Sequence, residues 1–102
     1  MKPDKSLHKE AFERYASKIA EFNSVEEIIL FGSVARNDHG TKSDVDVFIK
    51  VRDLSERDAI EREAFNVSLE KNVSITPIIK QKEPKDSLME DIRDEGIKYV
   101  RS

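Results

Sequence analysis

Two aspartates one residue apart, Asp44 and Asp46, sit in the apolar run "DVDVFIKV", ten residues after the pair Gly32-Ser33. In an extended strand, side chains two positions apart share a face, so the two carboxylates present their oxygens within a few ångströms of each other. Like charges held that close repel, and a divalent cation between them reverses the balance. An all-oxygen donor set suits magnesium or manganese rather than zinc. Magnesium completes its shell readily with phosphate oxygens, so such a pair points to a nucleotide-like partner. Gly32-Ser33 supplies a second grip on it: glycine lets backbone approach a phosphate, and the amides and the Ser33 hydroxyl can donate to one. Arg36, one turn further on, offers a cation to the same group. Taken singly, each feature has a plainer reading. Asp44 and Asp46 alone fit the solvent side of an edge strand, Gly32-Ser33 a simple turn, and Arg36 a solvated helix charge.

The elements around these residues follow from periodicity. Phe12, Tyr15, Ile19 and Phe22 recur at helical spacing, which predicts an amphipathic helix over 6–22. "VEEIILF" ends in four unbroken apolar residues, Ile28 to Phe31, the pattern of a short, fully buried strand stopping at Gly32. A short helix over 33–37 is expected next. In 44–51 the alternation puts Val45, Val47, Ile49 and Val51 on a core face and Asp44, Asp46, Phe48 and Lys50 on the other. Ser55 with Asp58 reads as a capping box opening a helix that ends at Lys71 and Asn72. "VSITPIIK" (73–80) is a third strand, which Pro77 assigns to an edge or a bulge. Pro84 opens a last helix, with Leu88 and Ile92 one turn apart and Gly96 as its stop, and "IKYV" adds a short edge strand. The expected fold is therefore α/β (α+β), a small mixed β-sheet with helices packed on it, in one domain covering 1–102.

Composition narrows the function classes. Charged residues make up 38% of the 102 and hydrophobic ones 37%, so a soluble, highly charged domain is expected. Without cysteine there is neither a disulfide framework nor a thiolate zinc site, and no apolar run is long enough to span a membrane. "MKPDKSLHKE" lacks the apolar region of a secretory signal, so a cytoplasmic location is expected. A net charge of −3 argues against non-specific binding to nucleic acid, leaving a nucleic-acid accessory domain as the weakest of the readings. His8 and His39 have no metal-ligand spacing and receive no role.

"ILFGSVAR", "SDVDVFI", a helix, a third strand and the terminal "IRDEGI", in this order, resemble the minimal nucleotidyltransferases of the DNA polymerase β-like superfamily. The resemblance covers nearly the whole chain. It implies a polymerase-β-like core and transfer of a nucleoside monophosphate, AMP from ATP in the first instance, to a hydroxyl. It further implies Asp44 and Asp46 as metal ligands, Gly32 and Ser33 as phosphate holders, Mg2+ or Mn2+ as cofactor, and an acceptor on a HEPN-domain partner protein, as in antitoxins. Two departures stand out. Where the family places a third carboxylate, the third strand reads "NVSITPII", with Ser74 or Thr76 at the position; Glu70 and Glu83 merely flank it. The glycine that often follows the Ala-Arg pair is replaced by "NDH" before Gly40. The departures leave two forms of the reading, an active transferase and a nucleotide-binding antitoxin subunit with weak catalysis.

Overall fold

The computed structural model describes residues 6–37, 40, 42–82, 85 and 87–100. Glu83, Pro84, Asp38 and His39 lie outside the described residues, as does the Leu88 side chain. The elements run α1 (Ser6–Ile19), β1 (Val25–Phe31), α2 (Gly32–Arg36), β2 (Val45–Val51), α3 (Arg57–Lys71), β3 (Ile75–Lys80), α4 (Ser87–Glu95) and β4 (Ile97–Lys98). They form a mixed α/β fold on one four-stranded sheet of order β3-β2-β1-β4. β1 is antiparallel to β2 and β4, and β2 is parallel to β3 across the α3 crossover.

Each strand pattern has its cause in this layering. The central strand β1 is covered on both faces, so Ile28 to Phe31 are all buried, as an unbroken apolar run requires. On one face Ile28, Leu30, Val45, Val47, Ile49 and Ile75 pack against Phe12, Tyr15 and Ile19 of α1 and Ile60, Ala64 and Val67 of α3. On the other, Ile29, Phe31 and Phe48 pack under Met89 and Ile92 of α4, with Ile78 alongside. The predicted edge positions hold: β3, which contains Pro77, and the two-residue β4 are the outer strands. At an edge, a residue without an N–H costs no ladder bond on its open side.

Helix ends are set by local chemistry. α2 and α3 close on Asn37 (φ 62°) and Asn72 (φ 56°), both left-handed, a conformation asparagine tolerates better than most residues. The start of α3 differs from the capping-box expectation: the N-cap is Glu56 with no side-chain cap bond. Ser55 instead donates its hydroxyl and its backbone N–H to Asp53 Oδ1, completing an aspartate turn. Glu56 is drawn elsewhere, its carboxylate accepting the Ser24 N–H at 2.9 Å. Gly96 ends α4 by close approach, since a Cβ there would strike the Ile92 carbonyl and the Ile29 side chain.

Tyr15 ties α1 to α3. Its buried hydroxyl donates to the Ile60 carbonyl at 3.0 Å, and burial, then the charges of Glu61 and Glu63, push the phenol well above its ordinary range. It stays protonated and donating at any physiological pH. Tyr15→Phe removes one buried hydrogen bond and should cost about 1 kcal/mol of stability, measured by urea unfolding.

Candidate active site

The site is where the two sheet faces stop being equivalent. Asp46 lies on β2 between two neighbours fixed by register, Phe31 of β1 on one side and Thr76 of β3 on the other. One row further along β2, Phe48 registers with Ile29 and Ile78, and α4 covers that row. The row holding Asp46 is less covered: Asp46 is half-buried and Thr76 exposed. The apolar end of this face is thus sealed by α4 and its polar end is left accessible. The sequence missed this division, although Phe48 on the aspartate side of the alternation was its one visible sign.

Asp44 immediately precedes β2, one residue short of the expected strand start, and is exposed. It still acts on its neighbour. Asp46 has its carboxyl held above the ordinary 3.8, first by loss of hydration on burial and then by the Asp44 charge, with Arg36 pulling the other way.

Gly32 is the residue against which Asp46 rests. It begins α2 directly after β1 with φ +76°, a left-handed value that favours glycine, and a Cβ at Gly32 would collide with Asp46 Oδ2. Glycine is required here twice over, by the backbone turn and by the approach of the carboxylate. Ser33 is half-buried in the first turn of α2, so the Gly32-Ser33 pair and Asp46 meet at one point although separated in sequence.

Arg36 is on the same short helix, near enough to influence Asp46, and its guanidinium donates to Glu95 Oε2 of α4 at 3.2 Å. Glu95 lies 59 residues away, and nothing in its local sequence distinguishes it from other helix-surface acids. The pair links the short helix to α4.

The structure separates the two hydroxyls proposed for the third position. Ile75 and Ile79 pack into the α1/α3 face of the sheet and Ile78 into the α4 face, so alternation puts Thr76 on the α4 face with Asp46. Ser74 precedes β3; its carbonyl accepts the Val45 N–H at 2.8 Å, and it lines a groove on the α3 side with Ala64, Phe65 and Pro77. Thr76 is therefore the hydroxyl in register with Asp46, and Ser74 lies one step before the strand. Glu70 pairs with Arg14 at 3.2 Å on the α1/α3 side.

Among the described residues the two carboxylates have no sulfur or imidazole beside them and form a hard donor set, the kind that takes a divalent cation with oxygen ligands. Among the described residues no group of three or more His, Cys, Asp or Glu gathers to hold a metal. No described helix is long and apolar enough to cross a membrane.

Comparison with known proteins bears on the family and the fold. The nucleotidyltransferase domain profile matches residues 12–99. A Methanocaldococcus jannaschii protein described as a candidate protein adenylyltransferase is 37% identical over 78 residues, spanning 74% of this chain and 79% of that protein. Among solved structures, a toxin-antitoxin crystallised with AMP-PNP contains a chain that superposes with a TM-score of 0.62 at 14% identity, over 93% of this chain and 71% of the other. A chain of the toxin-antitoxin MntA-HpeT superposes with a TM-score of 0.65, also at 14% identity, over 92% and 72%. At such identities the two structures speak to the fold. The profile match over most of the length, together with the Methanocaldococcus relative, establishes the family: the chain belongs to the nucleotidyltransferases.

Proposed function

We propose that this chain is a minimal, single-domain adenylyltransferase that moves AMP from ATP to a hydroxyl of a partner protein, a HEPN-domain toxin in the pairing its family resemblance suggests. One observation carries the site assignment: the Asp46 carboxylate rests on Gly32, with Asp44 beside it, at the accessible end of the sheet face. The relative described as a candidate protein adenylyltransferase supports AMP and a protein acceptor, and the toxin-antitoxin neighbours, one with AMP-PNP, support the nucleotide and the partner. The absence of cysteine and the dependence on ATP suit a cytoplasmic site of action.

Asp44 and Asp46 would hold Mg2+ or Mn2+. Such an ion, when bound, neutralises phosphate charge and stabilises the attacking and leaving oxygens of an in-line displacement. The chain's own residues do the positioning. Gly32 keeps the backbone low enough for the β- and γ-phosphates to approach, and the Ser33 hydroxyl and nearby amides donate to them. Arg36, held toward α4 by Glu95, adds positive charge along the same path. With little covalent chemistry to perform, placement and charge account for most of the rate.

A second reading is favoured by Thr76. It stands where a third carboxylate would complete the site, and a hydroxyl carries no charge at neutral pH. On that reading the protein binds nucleotide and partner but turns over slowly. Thr76→Asp should then raise the rate of transfer to the partner on the order of 10²-fold, the low side of what a positioned acid-base group contributes. Ser74→Asp, which precedes β3 and is out of register with Asp46, should raise it less.

The deciding experiment is incubation with magnesium and ATP, with and without the protein encoded beside this one, followed by intact-mass analysis. AMP added to the neighbour, and lost with Asp46→Asn, supports the transferase. A stable complex with no modification supports the binding subunit.

A further inference from the structure

We infer that Thr76 is itself an acceptor, so that the chain places one nucleoside monophosphate on its own third strand. This deepens the proposed function and rests on that reading of the site. Thr76 pairs with Asp46 across parallel strands, which fixes their backbones at the strand spacing of about 4.8 Å. The alternation set by Ile75, Ile78 and Ile79 puts both side chains on the same sheet face. Thr76 is exposed, so its hydroxyl is open to a nucleotide seated over Asp46.

A carboxylate at this place would assist the acceptor's hydroxyl. A hydroxyl there occupies the acceptor's own neighbourhood, and its tether to the strand replaces a bimolecular encounter with an intramolecular one. The other nearby hydroxyls are worse placed. Ser74 lines the groove on the α3 side, and Ser33 sits with Gly32 on the phosphate-holding side.

The step balances without a further reactant. Thr76 Oγ1 forms a bond to the α-phosphorus, the bond from that phosphorus to the oxygen bridging to the β-phosphate breaks, and pyrophosphate leaves with the electron pair. The hydroxyl proton passes to solvent water. The product is a threonyl phosphodiester that fills the site, so self-modification stops at one nucleotide per chain, and transfer to the partner proceeds on chains not yet self-modified.

The test uses the purified full chain with magnesium and ATP, read by intact mass and peptide mapping. In parallel, thermal shift is measured with magnesium and an ATP analogue that cannot be cleaved between the α- and β-phosphates. The expected result is one AMP per chain, mapped to Thr76, in the wild type and in Ser74→Ala, and none in Thr76→Val. Thr76→Val should keep the analogue's thermal shift, while wild type preincubated with ATP should lose it. Thr76→Ser, which keeps the hydroxyl, should regain the modification and guards against a folding defect in the valine variant. A retained thermal shift with no mass gain after exhaustive incubation, or a gain mapped to another residue, overturns the inference and leaves the nucleotide site standing. No thermal shift in the unmodified wild type overturns both.

Discussion

Asp46→Asn should abolish magnesium-dependent ATP binding and lower transfer by on the order of 10²–10³-fold, the scale of losing one preorganised electrostatic group, while slightly stabilising the fold. The two effects have opposite signs because the carboxylate is placed for function at a cost to the native state. Burial and the Asp44 charge raise its pKa above the ordinary 3.8. An aspartate raised in this way binds its proton more tightly when folded. Its stabilising contribution is present below the unfolded value and is lost as pH rises through the native one. The wild type should therefore lose a small increment of stability as pH rises from about 4 through the mildly acidic range, and Asp46→Asn should lack that component. Because Asp46 is partly solvated, solvent screening keeps the gain at pH 7 small. Urea unfolding of both proteins at pH 4 and pH 7, alongside nucleotide titration, measures the two signs together. Unchanged ATP affinity in the variant would remove Asp46 from the site, whatever happened to stability.

Where the local pattern and the tertiary environment agree, the sequence was a good guide. The unbroken run Ile28 to Phe31 signals burial on both faces, and β1 has helices above and below it. Pro77 signals an edge, and Asn72 a left-handed helix stop. Ser55 misled because its hydroxyl had a nearer partner, Asp53, two residues back. Such competition between a cap and a turn depends on local geometry that periodicity does not carry.

At the site, alternation gave the side on which Asp46 lies but could not rank Ser74 against Thr76. That choice depends on which strand residue faces Asp46, and a parallel pairing made across the α3 crossover leaves no mark in either strand alone. The Arg36–Glu95 bridge was hidden for the same reason: it joins two helices through the packing of α4 on the sheet. What the sequence conveyed was the chemistry of the pieces. The register and helix packing conveyed which of them meet.

Gly32→Ala should inactivate the enzyme while leaving a folded protein, and the disproportion between those losses is the informative part. At φ +76° any L side chain is strained, which costs about 1–3 kcal/mol. The added methyl also meets Asp46 Oδ2. That oxygen is the end of a side chain with a rotatable χ1, so the collision can be relieved by swinging the carboxylate away, and the loss of stability should stay close to the backbone term. The displaced carboxylate, however, no longer stands beside Asp44 and Thr76, so binding and transfer should fall as far as in Asp46→Asn. A double-mutant cycle separates the two contributions. In an Asp46→Ala background the methyl has no carboxylate to displace, so Gly32→Ala should add only its backbone cost to stability, and to the loss of ATP binding only the smaller share that Gly32 contributes through phosphate approach. If Gly32→Ala instead weakened residual nucleotide binding equally in both backgrounds, Gly32 would act on the phosphates independently of Asp46, and its function would lie in backbone approach rather than in seating the carboxylate.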